Sequence, residues 1–316
     1  MKLKLLLLYV VPAIVALLLS AAGFGLLHLV WKQIQVQDAR RYLLQGYAYS
    51  REGEYEYALQ NFNRAIRLST TNSLAYYARG DAYFHLTNYD AAARDFSETV
   101  KLHPGNSGAV EFRAMCYTHK GDYARAIADF SHLIKSHYHV SMNYYRRGYT
   151  YGRENQWTNA IADYKQAVHL NSTNDAYYHA LAYAYLHEQD PTNAVRNFNE
   201  SLRLNPDNAE YLNNLAWFLA VYPDGKFRDG LSAVGLAEKA CRLSDWRNQR
   251  FVDTLAAAYA ETGDFTDALK YEKQALRMDG ASDKEDKAEQ SRLELYQRHQ
   301  PYRESLKSDA SEDSSE

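Results

Sequence analysis

The sequence predicts an all-α solenoid of stacked helix–turn–helix repeats, and three observations support this fold class. The chain matches itself when it is shifted by 34 residues, so that small side chains recur at one step: Gly46, Gly80, Ala114, Gly148 and Ala182. Each period contains two stretches with apolar side chains at helical spacing. Helix-ending residues separate these stretches, as at Gly121-Asp122. A fixed period of this length indicates one supersecondary unit that is copied and stacked.

The phase of the period divides the central part of the chain into seven repeats. With Ala39 as repeat position 1, their bounds are 39–72, 73–106, 107–140, 141–174, 175–208, 209–248 and 249–282. The sixth repeat is irregular because the segment 222–230, YPDGKFRDG, lengthens its internal turn. We expect its helices at Ala209–Ala220 and Leu231–Leu243, on either side of that turn.

An apolar segment precedes the repeats. Residues 5–31 contain no Asp, Glu, Lys or Arg, and about 20 apolar residues suffice to cross a bilayer. We expect a short tail at 1–4, a transmembrane signal anchor at 5–31 and a linker at 32–38. Lys2 and Lys4 favour a retained N-terminus, which predicts a single-pass inner (plasma) membrane protein with the repeats on the extracytoplasmic side. Cleavage after Ser20-Ala21-Ala22 and a buried core helix are the alternatives.

Beyond the last repeat the composition becomes charged. Residues 283–304 contain few apolar side chains, among them Leu293, Leu295 and Tyr296. A solenoid needs a cover with a polar outer face over its last repeat, so we predict a capping helix over 283–304. Residues 305–316 end in SDASEDSSE, and this composition predicts a disordered acidic tail.

The spacing of the recurrent residues resembles the tetratricopeptide repeat family. That family places Gly or Ala at position 8, Tyr at 11, Ala at 20, Phe at 24 and Pro at 32, and the second repeat carries Gly80, Tyr83, Ala92, Phe96 and Pro104 there. The resemblance covers about 39–282 and implies a right-handed α-solenoid. Two positions of the third repeat depart from the pattern, because Leu133 and Tyr138 replace the usual Ala and Pro.

A pair of charged positions recurs inside three repeats. Position 7 is Arg and position 23 is Asp in repeats two to four, which gives the pairs Arg79 with Asp95, Arg113 with Asp129, and Arg147 with Asp163. From the fifth repeat on, position 7 is Leu and no Asp stands at position 23. We therefore predict a structural Arg–Asp pair between the two helices of each repeat. Two independently solvated charges are the alternative.

The resemblance also implies a concave groove lined by the first helix of each repeat. At the corresponding positions stand Leu43, Tyr47, Arg51, Tyr77, Asp81, His85, Glu111, Met115, His119, Tyr145, Tyr149, Arg153, His179, Tyr183, His187, Asn213 and Trp217. Aromatic side chains with polar tips suit an extended peptide or a partner helix. Chaperone-binding members hold a C-terminal carboxylate with Lys and Asn at positions where this chain has Leu43 and Tyr47, so we do not expect that partner.

Nothing in the sequence points to catalysis. It has no Gly-rich phosphate loop, no H-E-x-x-H and no nucleophile elbow, and we expect neither an enzyme nor a cofactor. His137-Tyr138-His139 lacks a third ligand at a fixed spacing, so no metal is expected. The net charge of −3 with interleaved signs argues against nucleic acid. Cys116 and Cys241 lie several repeats apart, and we predict two buried free thiols.

The function that we expect is that of a non-catalytic, membrane-anchored scaffold. It would bind a protein or peptide partner in its groove and support the assembly of an envelope complex. One alternative is an accessory subunit of a membrane enzyme or of an export system for polysaccharide, lipid or protein. A secreted binding protein is the alternative if the N-terminal segment is cleaved.

Overall fold

The computed structural model describes residues 11–278 and 283–304, and these residues form helices without a β-strand. The chain divides into an N-terminal unit, Met1–Glu154, and a C-terminal unit, Asn155–Glu316. The N-terminal unit contains α1 (Val11–Arg51), α2 (Tyr55–Leu68), α3 (Ser73–His85), α4 (Tyr89–Leu102), α5 (Ser107–His119), α6 (Tyr123–Lys135) and α7 (Val140–Arg153). The C-terminal unit contains α8 (Trp157–Leu170), α9 (Asp175–His187), α10 (Pro191–Leu204), α11 (Ala209–Val221), α12 (Gly230–Leu243), α13 (Gln249–Thr262), α14 (Phe265–Ala275) and α15 (Asp283–Gln297).

Asparagine and aspartate side chains fix where most of these helices begin. The first backbone N–H groups of a helix have no partner within the helix, and a side-chain oxygen just before it can accept from one of them. Such caps are made by Asn72, Asn88, Asn106, Asp122, Asn174, Asp190, Asn208, Asp229 and Asp264. The short polar residues that separate the apolar stretches in the sequence therefore determine the helix boundaries.

The turn within each regular repeat has one residue in the left-handed region, always at repeat position 15. Gly fills this position at Gly53, Gly121 and Gly263, where φ is 79°, 75° and 84°. Side chains other than Gly fill it at Thr87, Asn155 and Gln189, where φ lies between 56° and 58°. The left-handed conformation costs little for Gly but is strained for a β-branched residue. All regular repeats thus have the same turn geometry, but its conformational strain is larger where position 15 is not Gly.

Small residues let the two helices of a repeat approach closely. Gly46 of α1 faces the ring of Phe62, and a Cβ built on Gly46 would lie 2.3 Å from Phe62 Cε1. At the next repeat, a Cβ on Gly80 would lie 3.1 Å from Phe96 Cε1. Both phenylalanines are completely buried. The close approach is the physical reason for the recurrent Gly and Ala at repeat position 8.

The N-terminal segment differs in part from the prediction. Residues 32–38 are part of α1 rather than a linker, since KQIQVQD contains neither Gly nor Pro to end a helix. The predicted tail at 1–4 and the first residues of the predicted span, 5–10, lie outside the described residues. None of the helices that the structure describes has both the length and the apolar character needed to cross a membrane.

The long turn of the sixth repeat is held by Arg228. After α11 a single 3-10 turn spans Gly225–Phe227 before α12 begins. The Arg228 guanidinium donates hydrogen bonds to the backbone carbonyls of Tyr222 and Pro223, at 2.8 and 2.7 Å. Its Nε also donates to Glu261 Oε1 at 2.9 Å. The two helices of this repeat lie within one residue of their predicted bounds.

The C-terminal cap is a helix for only part of the predicted range. α15 ends at Gln297, and residues 301–304 that follow it have no regular secondary structure because Pro301 cannot continue a helix. Arg292 of α15 donates through Nε and Nη2 to Asp253 Oδ1, at 2.9 and 2.6 Å. Its Nε lies 3.4 Å from the fully buried Glu272. The predicted acidic tail at 305–316 and residues 279–282 lie outside the described residues.

Candidate partner-binding groove

Two of the three predicted Arg–Asp pairs lie in the N-terminal unit, and each is bidentate. Nε and Nη2 of Arg79 lie 2.7 Å from the two carboxylate oxygens of Asp95. The corresponding distances from Arg113 to Asp129 are 2.8 Å. Each pair joins the first helix of a repeat to its second. The third pair takes one residue from each unit and stays a prediction.

Two of the arginines at repeat position 7, Arg79 and Arg147, also bind the preceding repeat, which the sequence pattern did not suggest. Arg79 Nη1 donates to Asn63 Oδ1 of α2 at 2.6 Å. Arg147 Nη1 donates to Ser131 Oγ of α6 at 2.8 Å. Both acceptors stand at repeat position 25. The Arg79 guanidinium therefore joins neighbouring repeats as well as the two helices of its own repeat.

The first helices of the N-terminal unit place tyrosines along one face. Tyr47 of α1 packs edge-on against Phe62 at a ring distance of 5.7 Å. Tyr77 of α3 makes edge contacts with Phe96 at 5.5 Å and Phe112 at 6.1 Å. Both tyrosines are half-buried, so each ring supports the core with one side and leaves the other side accessible.

Several predicted groove residues belong more to the core than to an exposed surface. Leu43 is buried and packs in the cluster around Phe62. Met115 is half-buried against the cluster that contains Ala114 and Phe130. Leu43 therefore offers little surface to a partner, because apolar side chains of the first and second repeats bury it.

Asp81 is the one carboxylate of this face without a nearby guanidinium or ammonium group among the described residues. Its side chain is one-third exposed, and its ion-pair contact is with His85, whose Nε2 lies 3.9 Å from Oδ1. Burial raises the pKa of Asp81, and His85 partly opposes this effect. Burial is the main cause that raises the pKa of Tyr47, and the charge of Asp81 adds to it. The same two causes raise the pKa of Tyr77 to about 12. The tyrosines thus remain neutral hydrogen-bond donors around a partly desolvated negative charge.

Glu111 provides a contrast within the same unit. Its buried carboxylate accepts a hydrogen bond from Arg146, and His139 Nδ1 lies 3.7 Å from Oε1. The Arg146 guanidinium therefore compensates the charge of Glu111, whereas the described contact of Asp81 is with an imidazole. Of these two carboxylates in the groove, Asp81 is the one whose charge remains available to a ligand.

Three of the four predicted groove histidines take part in a recurrent stack between repeats. His85 lies parallel to Tyr55 at a ring distance of 4.6 Å, and His119 lies parallel to Tyr89 at 4.4 Å. In the C-terminal unit the same relation is found between His187 and Trp157 at 3.8 Å. The partner is always the first residue of the second helix of the preceding repeat, 30 residues earlier. That spacing was present in the sequence and could have revealed the stack.

The rim of the N-terminal face is formed by the last turns of α1 and α7. Arg51 and Arg153 are exposed, and Arg153 Nη1 donates to the hydroxyl of Tyr149 at 3.3 Å. Tyr149 is itself 44% exposed, and Tyr145, one turn earlier, is half-buried. These side chains place cations at the edge of the face and tyrosines along it.

The face of the C-terminal unit has a different character. His179 of α9 stacks on Tyr211 at 4.1 Å, and Asn214 Nδ2 lies 3.1 Å from its Nε2. Burial lowers the pKa of His179 to about 4, so this imidazole is neutral at physiological pH. Tyr183 is partly exposed beside it. Asn213 is almost completely buried, which leaves it little surface for a partner.

Trp217 lies under the C-terminal segment of the chain. Its ring is half-buried and lies 5.9 Å from that of Tyr302, so its contact with a partner stays a prediction. No arrangement of three or more His, Cys, Asp or Glu side chains that could hold a metal ion occurs within 11–278 and 283–304. Cys116 and Cys241 are free and buried, and burial raises the pKa of both thiols to about 12.

Most of the first five repeats matches known family models. Residues 77–136 match a tetratricopeptide repeat model, residues 46–86 match a TPR repeat model, and 143–174 and 176–208 match a further tetratricopeptide repeat model. No curated protein matches the chain.

Two solved structures illustrate the similarity of the fold. A tetratricopeptide repeat protein from Parabacteroides merdae is 17% identical, covers 83% of this chain and 99% of its own, and has a TM-score of 0.58. MamA from Desulfovibrio magneticus RS-1 is 21% identical, covers 54% of this chain and 97% of its own, and has a TM-score of 0.52. Such identities show the fold alone. On the matched repeats and on this fold, the chain belongs to the tetratricopeptide repeat family.

Proposed function

We propose that this chain is a non-catalytic scaffold that holds an extended segment of a partner protein against the first helices of its N-terminal unit. The observation that carries the proposal is Asp81, a partly buried carboxylate without a guanidinium or ammonium partner among the described residues. A basic side chain of the partner would neutralise it.

The surroundings of Asp81 support a lysine or arginine as that side chain. Tyr47 and Tyr77 both lie within the electrostatic reach of the carboxylate. Their rings can contact the apolar stem of a long basic residue and their faces attract a cation. A charge-assisted hydrogen bond contributes about 1.5–3 kcal/mol, which corresponds to roughly 10- to 100-fold in affinity.

The cellular setting is a further part of the proposal. Residues 5–31 would anchor the scaffold in a membrane, with the repeats on the extracytoplasmic side, where it would support the assembly of an envelope complex. Its support is the apolar composition of this segment. Protease accessibility of the repeats in spheroplasts tests this arrangement, and protection of the repeats would contradict it.

The groove is tested with a library of short peptides in which the central residue is Lys, Arg, norleucine or citrulline. We expect the wild-type protein to prefer the charged peptides by at least tenfold, and Asp81→Asn to remove this preference. Asp90→Asn is the matched control, because Asp90 lies on α4, is exposed and pairs with Lys120. Equal binding of charged and neutral peptides by the wild-type protein would refute the proposal.

The pH dependence provides an independent measurement. Because burial raises the pKa of Asp81 above its ordinary value, acidification should neutralise this carboxylate earlier than an exposed one. The preference for Lys over norleucine should then decline at mildly acidic pH. For the same reason Asp81→Asn should raise the free energy of unfolding at neutral pH, which distinguishes loss of binding from loss of the fold.

A further inference from the structure

The last described residues of the chain lie across the concave face of the C-terminal unit. The backbone N–H of Glu304 donates to the carbonyl of Val221 at the end of α11, at 3.0 Å. Arg303 Nη1 lies 3.5 Å from the neighbouring carbonyl of Ala220. A helix leaves its last carbonyls without intrahelical partners. The segment 301–304 therefore contacts the helix through groups that another extended peptide could also use.

Tyr302 supplies the apolar part of this contact. Its ring lies 5.9 Å from that of Trp217 and packs against the buried cluster that contains Ala220 and Ala257. The guanidinium of Arg292 lies over both rings, 5.6 Å from Trp217 and 5.7 Å from Tyr302. The aromatic side chain thus lies in a recess with a cation at its edge.

Arg303 supplies the polar part. Its Nη2 lies 2.5 Å from Oε2 of Glu261, whose side chain is 14% exposed. The other oxygen of this carboxylate already accepts from Arg228. The partly buried Glu261 carboxylate therefore binds Arg228 of the sixth repeat through one oxygen. Through the other oxygen it binds Arg303, which lies outside the repeats.

Capping of the last repeat explains only part of this arrangement, namely the packing of Tyr302 against the cluster that joins Ala256, Ala260 and Ala268 to Tyr296 of α15. The cap is α15, which is attached through Arg292 to Asp253. Residues 301–304 instead cover Trp217, Ala220 and Val221, which stand at repeat positions 9, 12 and 13. These are positions at which the first helices of a repeat array face the groove. Residues 301–304 therefore cover groove positions of α11 as well as contacting the end of the repeat array.

We propose that the concave face of α11 and α13 is a recognition site for an extended segment in which an aromatic residue precedes an arginine. Residues 301–304 of the same chain fill this site, and a partner with similar chemistry gains it by displacing them. This inference is independent of the function proposed for the N-terminal unit.

The contact is small enough to be exchanged. It consists of one aromatic ring, one ion pair and a few hydrogen bonds, and it is made by four residues. A short tether presents such a segment at an effective concentration on the order of millimolar. A competing segment with a dissociation constant in the micromolar range and a second contact elsewhere can therefore take its place.

A labelled peptide of residues 298–308 tests the proposal by fluorescence anisotropy. The proteins compared are the full chain, a chain that ends at residue 300, and the full chain with Tyr302→Ala and Arg303→Ala. The last two keep α15 and the fold of the repeats can be checked by circular dichroism. A peptide that carries the same two alanines is the negative control.

We expect the peptide to bind both altered proteins at least tenfold more tightly than the full chain, and the alanine peptide to bind none of them. Asp90→Asn, at an exposed residue outside both proposed sites, should leave this binding unchanged. Two results would overturn the proposal: no binding to either altered protein while both are folded, or equal binding to all three. Dimers of the full chain that disappear on truncation would also overturn it, since the occupant would then come from a second copy.

Discussion

Substitutions in the Arg79–Asp95 pair should change the stability of the protein differently when one residue or both residues are replaced. The Asp95 side chain is 6% exposed and that of Arg79 is 20% exposed. Arg79→Leu would leave a buried carboxylate without its partner, whereas Asp95→Asn would leave a guanidinium that still donates to Asn63. Replacing both residues removes both charges at once. We expect the double variant to be close to the wild-type protein in stability.

The magnitude follows from burial. Breaking a buried ion pair by removing one partner costs about 3–5 kcal/mol, whereas exchanging both partners is often neutral. Because Asp95 is the more buried member, Arg79→Leu should cost about 3 kcal/mol, and Asp95→Asn less. The fifth repeat offers a natural precedent, since Leu181 and Asn197 stand at the corresponding positions. The double variant should lie within about 1 kcal/mol of wild type, on the same principle.

The assay is urea unfolding followed by circular dichroism, combined with hydrogen exchange of the α3 and α4 amides. Exchange is included because the repeats of a solenoid can unfold separately. Arg94→Leu is the matched control, because Arg94 is an exposed arginine on α4, and its effect should stay within about 0.5 kcal/mol. If Arg79→Leu is no more harmful than Arg94→Leu, or the double variant is the least stable, the pair does not act as described.

Three further predictions concern stability. Thr87→Gly should raise the free energy of unfolding by about 1 kcal/mol because it removes a left-handed β-branched residue, and Gly121→Thr should lower it; equal urea midpoints would contradict this. Gly46→Ala should destabilise by about 1–3 kcal/mol through overpacking, and Gly80→Ala by less, since its Cβ would have 3.1 Å rather than 2.3 Å of room; the reverse order in thermal melts would be contrary evidence. Burial raises the pKa of Glu272 to about 10 from the ordinary 4.5, so stability should fall as pH rises between these values, and Glu272→Gln should flatten that slope in melts at several pH values.

Much of the local structure could be predicted from the sequence because it depends on short-range rules. Helix starts follow the capping residues, and the turns follow Gly and short polar side chains. The helix crossings follow the small residues at one repeat position. The Arg79 and Arg113 pairs could be predicted because both partners lie within one repeat. Arg and Asp are also absent together from these two positions in the later repeats, which a comparison within the chain reveals.

The candidate groove could be predicted only in outline. Repeat positions identify which helix face is concave, but exposure depends on neighbours from other repeats. Leu43 lies in a buried cluster that includes Ala75 and Ala78 of the next repeat, and His85 is stacked on Tyr55 of the preceding repeat. The sequence likewise could not show that Asp81 lacks a nearby guanidinium or ammonium group among the described residues. The tertiary structure determines which basic side chains come close to it.

The sequence by itself determined the repeat, its phase and its internal packing, because a 34-residue period specifies contacts between residues close in the chain. The tertiary structure alone decided what covers the face of α11. Glu304 lies 83 residues beyond Val221 in the chain, yet its backbone N–H donates to the carbonyl of Val221. No periodicity encodes a contact between a terminal segment and a distant helix end. Its cause is the chain's return over α13 after Pro301, where the Trp217 recess and the Glu261 carboxylate accept Tyr302 and Arg303.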